Sequence, residues 1–152
     1  MTKSNMKTVQ QVIRKRRLFA VHPDDMVRQA CKVMNNRELG GLPVIDADQR
    51  LLGMISEREV VRGCIGEHRR AATTTVGEVM ETNPAFAEPD DSIMIAMAKM
   101  MQNNVRYLPV VRGGIVTGCI GIRELVDELS YIAMQNVGII DKALPRLHEE
   151  LV

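Results

Sequence analysis

The chain contains no tryptophan and only four aromatic residues, two Phe and two Tyr, among its 152. A nucleic-acid surface built on base stacking needs aromatic platforms, and one built on charge needs a basic excess. Neither is present, because 20 Lys and Arg face 19 Asp and Glu for a net charge of +1. The short run Arg14–Arg17 reads as a solvated loop. No stretch approaches the ~20 consecutive apolar residues of a membrane span, so no membrane insertion is expected. The N-terminal sequence MTKSNMKTVQQVIRKRR lacks the apolar core of a secretory signal, which points to a cytoplasmic location.

Chemistry-bearing side chains are equally sparse. The three cysteines, Cys31, Cys64 and Cys119, are odd in number and widely spaced, with no CxxC pair. That pattern fits neither a disulfide framework nor a zinc site, and each thiol is expected to be small and buried. His22, His68 and His148 lie far apart and outside any nucleophile or HExxH motif. Gly113-Gly114 sits between two strand-like runs rather than between a strand and a helix, so it is a poor phosphate loop. The chain is therefore expected not to be an enzyme.

What the sequence does contain is an internal repeat. Pro23-Asp24-Asp25 recurs as Pro89-Asp90-Asp91, and Leu42-Pro43-Val44-Ile45 as Leu108-Pro109-Val110-Val111, both at an offset of 66. Ala30 and Met34 become Ala96 and Met100 at the same offset. After a one-residue deletion, Gly53-Met54-Ile55 matches Gly118-Cys119-Ile120, and Glu59-Val60 matches Glu124-Leu125. Upstream, Thr8-Val9 with Val12-Ile13 matches Thr75-Val76 with Val79-Met80.

Each copy predicts the same α/β string, β-α-β-β-α, with a helical lead-in before it. A short apolar strand (Leu18 to Val21; Ala85 to Ala87) enters a Pro-Asp-Asp turn whose Asp is placed to cap the next helix. That helix carries Met26, Ala30, Val33 and Met34 in copy 1, and Ile93, Ala96, Met97 and Met100 in copy 2. Two hairpin strands follow, Leu42–Ile45 with Leu51–Ile55 and Leu108–Val111 with Val116–Ile120. A second helix opens near Ser56 or Gly121. One copy alone buries too little to be stable, so the two are expected to face each other across a pseudo-twofold axis. Eleven methionines against four aromatics predict a core filled with thioethers.

The segments GGLPVIDADQRLLGMISEREV and NVRYLPVVRGGIVTGCIGIREL, each after a PDD turn and helix, carry a resemblance. The chain resembles a tandem pair of CBS domains, named after cystathionine β-synthase, over about residues 8–130. On this reading residues 8–66 form unit 1, residues 75–130 unit 2, and residues 131–152 a C-terminal helical tail. The resemblance implies a non-catalytic sensor that requires no cofactor and binds an adenine nucleotide of the AMP, ADP, ATP, NAD or S-adenosylmethionine type between the copies. It also implies a homodimer and an unidentified regulated protein. The alternative is a structural or interaction module without a ligand.

The resemblance assigns ligand-binding positions residue by residue. The family pattern ends in Gly-h-h-Thr/Ser-x-x-Asp, whose hydroxyl meets phosphate and whose carboxylate meets the ribose diol. Here Ser56 keeps the hydroxyl with Glu59 at the acidic position, whereas Gly121 lacks it and Glu124 follows. Adenine is expected against Ala20, Val21, Leu42 and Pro43 in copy 1, and Phe86, Ala87, Leu108 and Pro109 in copy 2. Arg106 stands where a basic residue reaches phosphate, and its counterpart is Gly40. The spacing Ser56-x-x-Glu59 also has the form of a capping box, which would engage both side chains with backbone N–H groups instead. Beyond the repeats, Gly138 and Pro145 predict a helix followed by a shorter segment. That tail is acidic and is expected to pair with the basic N-terminal stretch.

Overall fold

The computed structural model describes residues 6–136. Residues up to Gly121 form one compact unit containing both hairpins, and the helix Ile122–Asn136 belongs to a second.

Within the first unit the repeat is visible element by element. Helix α1 (Val9–Ile13) opens at Thr8, whose hydroxyl accepts from the Gln11 N–H at 3.2 Å while Gln11 Oε1 accepts from the Thr8 N–H at 2.9 Å. This reciprocal pairing satisfies two of the donors a helix start leaves over. Helix α2 (Val27–Arg37) buries Val27, Ala30 and Met34 along one stripe. It leads to strands β1 (Gly41–Ile45) and β2 (Leu51–Ser56), antiparallel with Leu42 opposite Ile55. The short helix α3 (Glu57–Glu59) continues as a π-helical stretch, Val60–Ile65. Copy 2 follows with α4 (Val76–Val79), the two-residue strand β3 (Glu81–Thr82), α5 (Ile93–Asn103), β4 (Tyr107–Arg112) and β5 (Ile115–Gly121). Helix α6 (Ile122–Asn136) starts where copy 1 has α3.

The two hairpins turn differently. Gly113 and Gly114 both take positive φ, +57° and +84°, which a two-residue turn between twisted strands requires and glycine permits without strain. The longer copy 1 turn is tied by Asp46, whose Oδ1 accepts from the Asp48 and Arg50 N–H groups at 2.9 Å each. Gln49 then reaches across to copy 2. Its Nε2 donates to Val116 O at 2.7 Å and its carbonyl accepts from Val116 N–H at 3.0 Å.

The lead-ins are exchanged between the copies. Helix α1 precedes copy 1, yet the Val9 N–H donates to Asp91 O at 2.8 Å and the Gln10 N–H to Pro89 O at 3.0 Å, both in the turn of copy 2. Conversely, α4 precedes copy 2, and the Val76 and Gly77 N–H groups donate to Asp25 O (2.7 Å) and Pro23 O (2.9 Å) of copy 1. A side chain from each lead-in crosses the other copy's hairpin where a glycine leaves room: Ile13 over Gly118, and Met80 over Gly53. The core of copy 1 therefore includes Val76 and Val79 beside Val21, Ala30, Leu42, Val44 and Ile55. At ~1.5–3 kcal/mol for each fully buried aliphatic side chain, Val76 alone adds substantially to the core of copy 1.

Several expectations need correction. The opening strands reduce to single parallel bridges, Val21 with Val44 and Ala87 with Val110. Asp25 and Asp91 do not cap helices. Each accepts from the N–H three residues earlier, His22 at 2.8 Å and Glu88 at 2.9 Å, closing the Pro-Asp-Asp turn on itself. Ser92 caps α5 instead, accepting from the Ile95 N–H at 3.2 Å. The methionines are only partly core: Met34, Met54 and Met100 are buried, whereas Met94 and Met101 are exposed. Of the cysteines only Cys64 is buried, with Cys31 and Cys119 half-exposed. The predicted break at Gly138, the break at Pro145 and the acidic part of the tail lie outside the described residues.

Candidate functional site

A cleft of about 400 Å³ opens between the copies within the first unit. One wall is copy 1: Gly40 before β1, Met54 and Ser56 on β2, Glu57, Arg58 and Glu59 on α3, and Val61 and Arg62 on the π-helical turn. The other wall carries Val105, Arg106 and Tyr107 at the start of β4, with Glu81 of β3 at the edge. Glu81 is held there because β3 pairs with β2, setting Glu81 opposite Met54. Tyr107 takes its position because Gly40 and Gly41 carry no side chain, its ring and hydroxyl occupying the space a Cβ would need.

Ser56 and Glu59 meet directly. The Ser56 hydroxyl donates to Glu59 Oε2 at 2.7 Å, so the expected capping box is not formed. The Glu57 N–H donates to Gly40 O at 3.1 Å, which ties the start of α3 to β1. Desolvation raises the Glu59 pKa above its ordinary value, and nearby Glu81 pushes the same way. The Ser56 hydroxyl, the Glu59 backbone N–H and Arg58 oppose that shift. Arg58, Arg62 and Arg106 are exposed and make no ion pair with a carboxylate among the described residues.

Of the positions expected from sequence, Ser56, Glu59 and Arg106 come together in this cleft. The adenine positions do not line it. Val21, Leu42, Ala87 and Leu108 are buried in the core. The Val21 N–H donates to Pro43 O and the Ala87 N–H to Pro109 O, at 3.0 and 2.9 Å, so those main-chain groups hold the opening segments onto the strands. Ala20 is half-buried, and Phe86 is exposed with Lys99 Nζ 5.9 Å from its ring centre. Gly121 ends β5 against the Tyr107 ring. Glu124 lies in the first turn of α6. His22 is exposed outside the cleft, its Nδ1 3.0 Å from Ile45 O.

Sequence reasoning missed Arg58, Arg62, Glu81 and Tyr107. A helical reading of the Ser56-Glu-Arg-Glu segment could have placed Arg58 and Arg62 together, since residues four apart share a face. Glu81 carried no signal, because only pairing with β2 brings it to the cleft.

Two α/β copies with exchanged lead-ins and a charged cleft between them define a paired-repeat module. The CBS-domain family model matches residues 9–66 and 76–131, and the chain belongs to the CBS-domain family. A CBS-domain protein from Burkholderia ambifaria is similar in structure, with a TM-score of 0.76 and 34% identity over 85% of this chain and 96% of that one. The Arabidopsis thaliana CBS domain-containing protein CBSCBSPB2 is 30% identical over 119 residues, 78% of this chain and 22% of that protein. An uncharacterized 33.4 kDa Thermofilum pendens protein is 31% identical over 111 residues, 73% of this chain and 35% of that protein. The chain thus spans about a fifth to a third of these two relatives. The CBS pair of protein MJ0100, solved with 5′-methylthioadenosine and S-adenosylmethionine, shares the fold at a TM-score of 0.74 and 19% identity. No helix among the described residues is long and apolar enough to cross a membrane.

Proposed function

We propose that the chain is a non-catalytic sensor that binds an adenine nucleotide in this cleft and passes the bound state to a partner protein, working in the cytoplasm as a homodimer. Units 1 and 2, residues 8–66 and 75–130, act as the two halves of one receptor. The observation that carries this reading is the convergence of Ser56 and Glu59 from copy 1 with Arg106 from copy 2 on one cavity. A volume of about 400 Å³ is within the range of small-molecule sites, ~300–1,000 Å³. In the proposed complex Arg106 faces phosphate and Ser56 and Glu59 face phosphate and ribose, while the adenine positions expected from sequence stay outside the cavity lining. Ligands on the related MJ0100 pair carry the same adenosine group.

A second reading, a structural or interaction module, draws support from the Ser56 proton already held by Glu59. Thermal melting with AMP, ADP, ATP, NAD and S-adenosylmethionine separates the two. A ligand at 100 times its Kd adds ~2.7 kcal/mol, which for a chain of this size raises Tm by roughly 5–10 °C. No shift with any of the five at millimolar concentration favours the module without a ligand.

A further inference from the structure

We infer that the cleft selects adenosine compounds of low net charge, nucleosides and zwitterionic derivatives, over nucleoside polyphosphates. The inference rests on the adenine-binding reading of the same cleft and narrows it. Three guanidiniums, Arg58, Arg62 and Arg106, face three carboxylates, Glu57, Glu59 and Glu81, so the cavity wall is electrically balanced before anything binds. A site for a polyphosphate carries a cationic excess, because each phosphate brings negative charge that must be matched on leaving water. Here the match is cancelled. Glu81 enters from β3 on the edge of the cavity, and Glu57 and Glu59 stand on the same turn as Arg58. The Ser56 hydroxyl, which the family pattern assigns to phosphate, is also committed, since it donates to Glu59 at 2.7 Å. A phosphate must break that hydrogen bond and then sit beside the carboxylate it displaced. An uncharged or zwitterionic ligand meets no such opposition, and a cationic substituent gains from Glu59 and Glu81 together.

The test is calorimetry of the full chain with adenosine, AMP and ATP at low and physiological salt, for the native protein and for Glu81→Gln and Glu59→Gln. Native protein is expected to bind adenosine at least as tightly as AMP, and ATP most weakly. Glu81→Gln is expected to strengthen AMP about threefold to tenfold while moving adenosine less than about twofold, the phosphate effect shrinking with salt. Both replacements keep size and hydrogen-bonding capacity, and circular dichroism melts check that they fold. Tightest binding of ATP by the native protein overturns the inference and leaves the adenine-binding reading standing. So does an equal gain for adenosine and AMP in Glu81→Gln. Absence of heat for all three compounds overturns both.

Discussion

Where copy 1 carries Ser56, copy 2 carries Gly121; where copy 2 carries Arg106, copy 1 carries Gly40. The two copies share their backbone plan down to the self-closed Pro-Asp-Asp turns. What differs is which polar groups each presents. Gly40 does more than remove a charge, because Tyr107 occupies the space its side chain would need. An arginine at position 40 and Tyr107 cannot both be accommodated in this arrangement. The two walls of the cleft are therefore unlike, each presenting polar groups the other lacks, and the asymmetry is steric as well as chemical.

The largest expected contrast lies in the glycine notches. A methyl group at Gly53 meets the Glu81 carbonyl at 2.5 Å and Met80 Sδ at 2.9 Å, while one at Gly118 meets only the Ile13 side chain, its end at 2.5 Å. Backbone yields less readily than the tip of a side chain. Gly53→Ala is expected to cost about 1–3 kcal/mol and Gly118→Ala less than ~1 kcal/mol, measured by chemical denaturation. Equal losses would show that the two notches are packed alike.

A smaller contrast concerns the ends of α2 and α5. Both stop on a left-handed residue, Glu38 at φ 54° and Asn104 at φ 51°. Asparagine tolerates that conformation better than glutamate. Glu38→Asn is expected to stabilise by about 0.5–1 kcal/mol, and Asn104→Glu to destabilise by a similar amount. A loss on Glu38→Asn would mean that the glutamate side chain contributes something the geometry does not explain.

The smallest effects are pH-dependent and opposite in sign. Glu59 has its pKa raised in the fold, so its ionised form opposes folding at neutral pH and the opposition fades as pH falls. Glu78 has its pKa lowered, first by the Thr75 backbone N–H at 2.7 Å and then by the Thr75 hydroxyl at 3.0 Å. Its contribution is present above the ordinary carboxylate range and lost as pH drops through the lowered value. Glu59→Gln should raise Tm at pH 7, and Glu78→Gln should lower it. Both differences should shrink in acid, as melts across the carboxylate range will reveal.

Much of this fold was legible from periodicity. Alternating apolar runs and hairpin-sized gaps located β1, β2, β4 and β5 to within a residue or two. The Thr8 and Thr75 starts were visible as repeated motifs. The exchange of lead-ins was not, since each lead-in could have docked on either copy and the choice is tertiary. The π-helical turn was also hidden, because Val60–Ile65 has an ordinary helical composition. In the cleft, Ser56, Glu59 and Arg106 were assigned by the family resemblance, whereas Glu81 depended on one short strand pairing. The Ser56–Glu59 contact had two readings in sequence, and only the side-chain geometry separated them.

Residue-resolved NMR of the full chain titrated with adenosine tests the central claim, that one ligand is held jointly by unlike halves. Backbone amides of residues 56–62 in copy 1 and 105–107 in copy 2 should shift together, with a single dissociation constant. Shifts confined to one copy, or two separate constants, would contradict it.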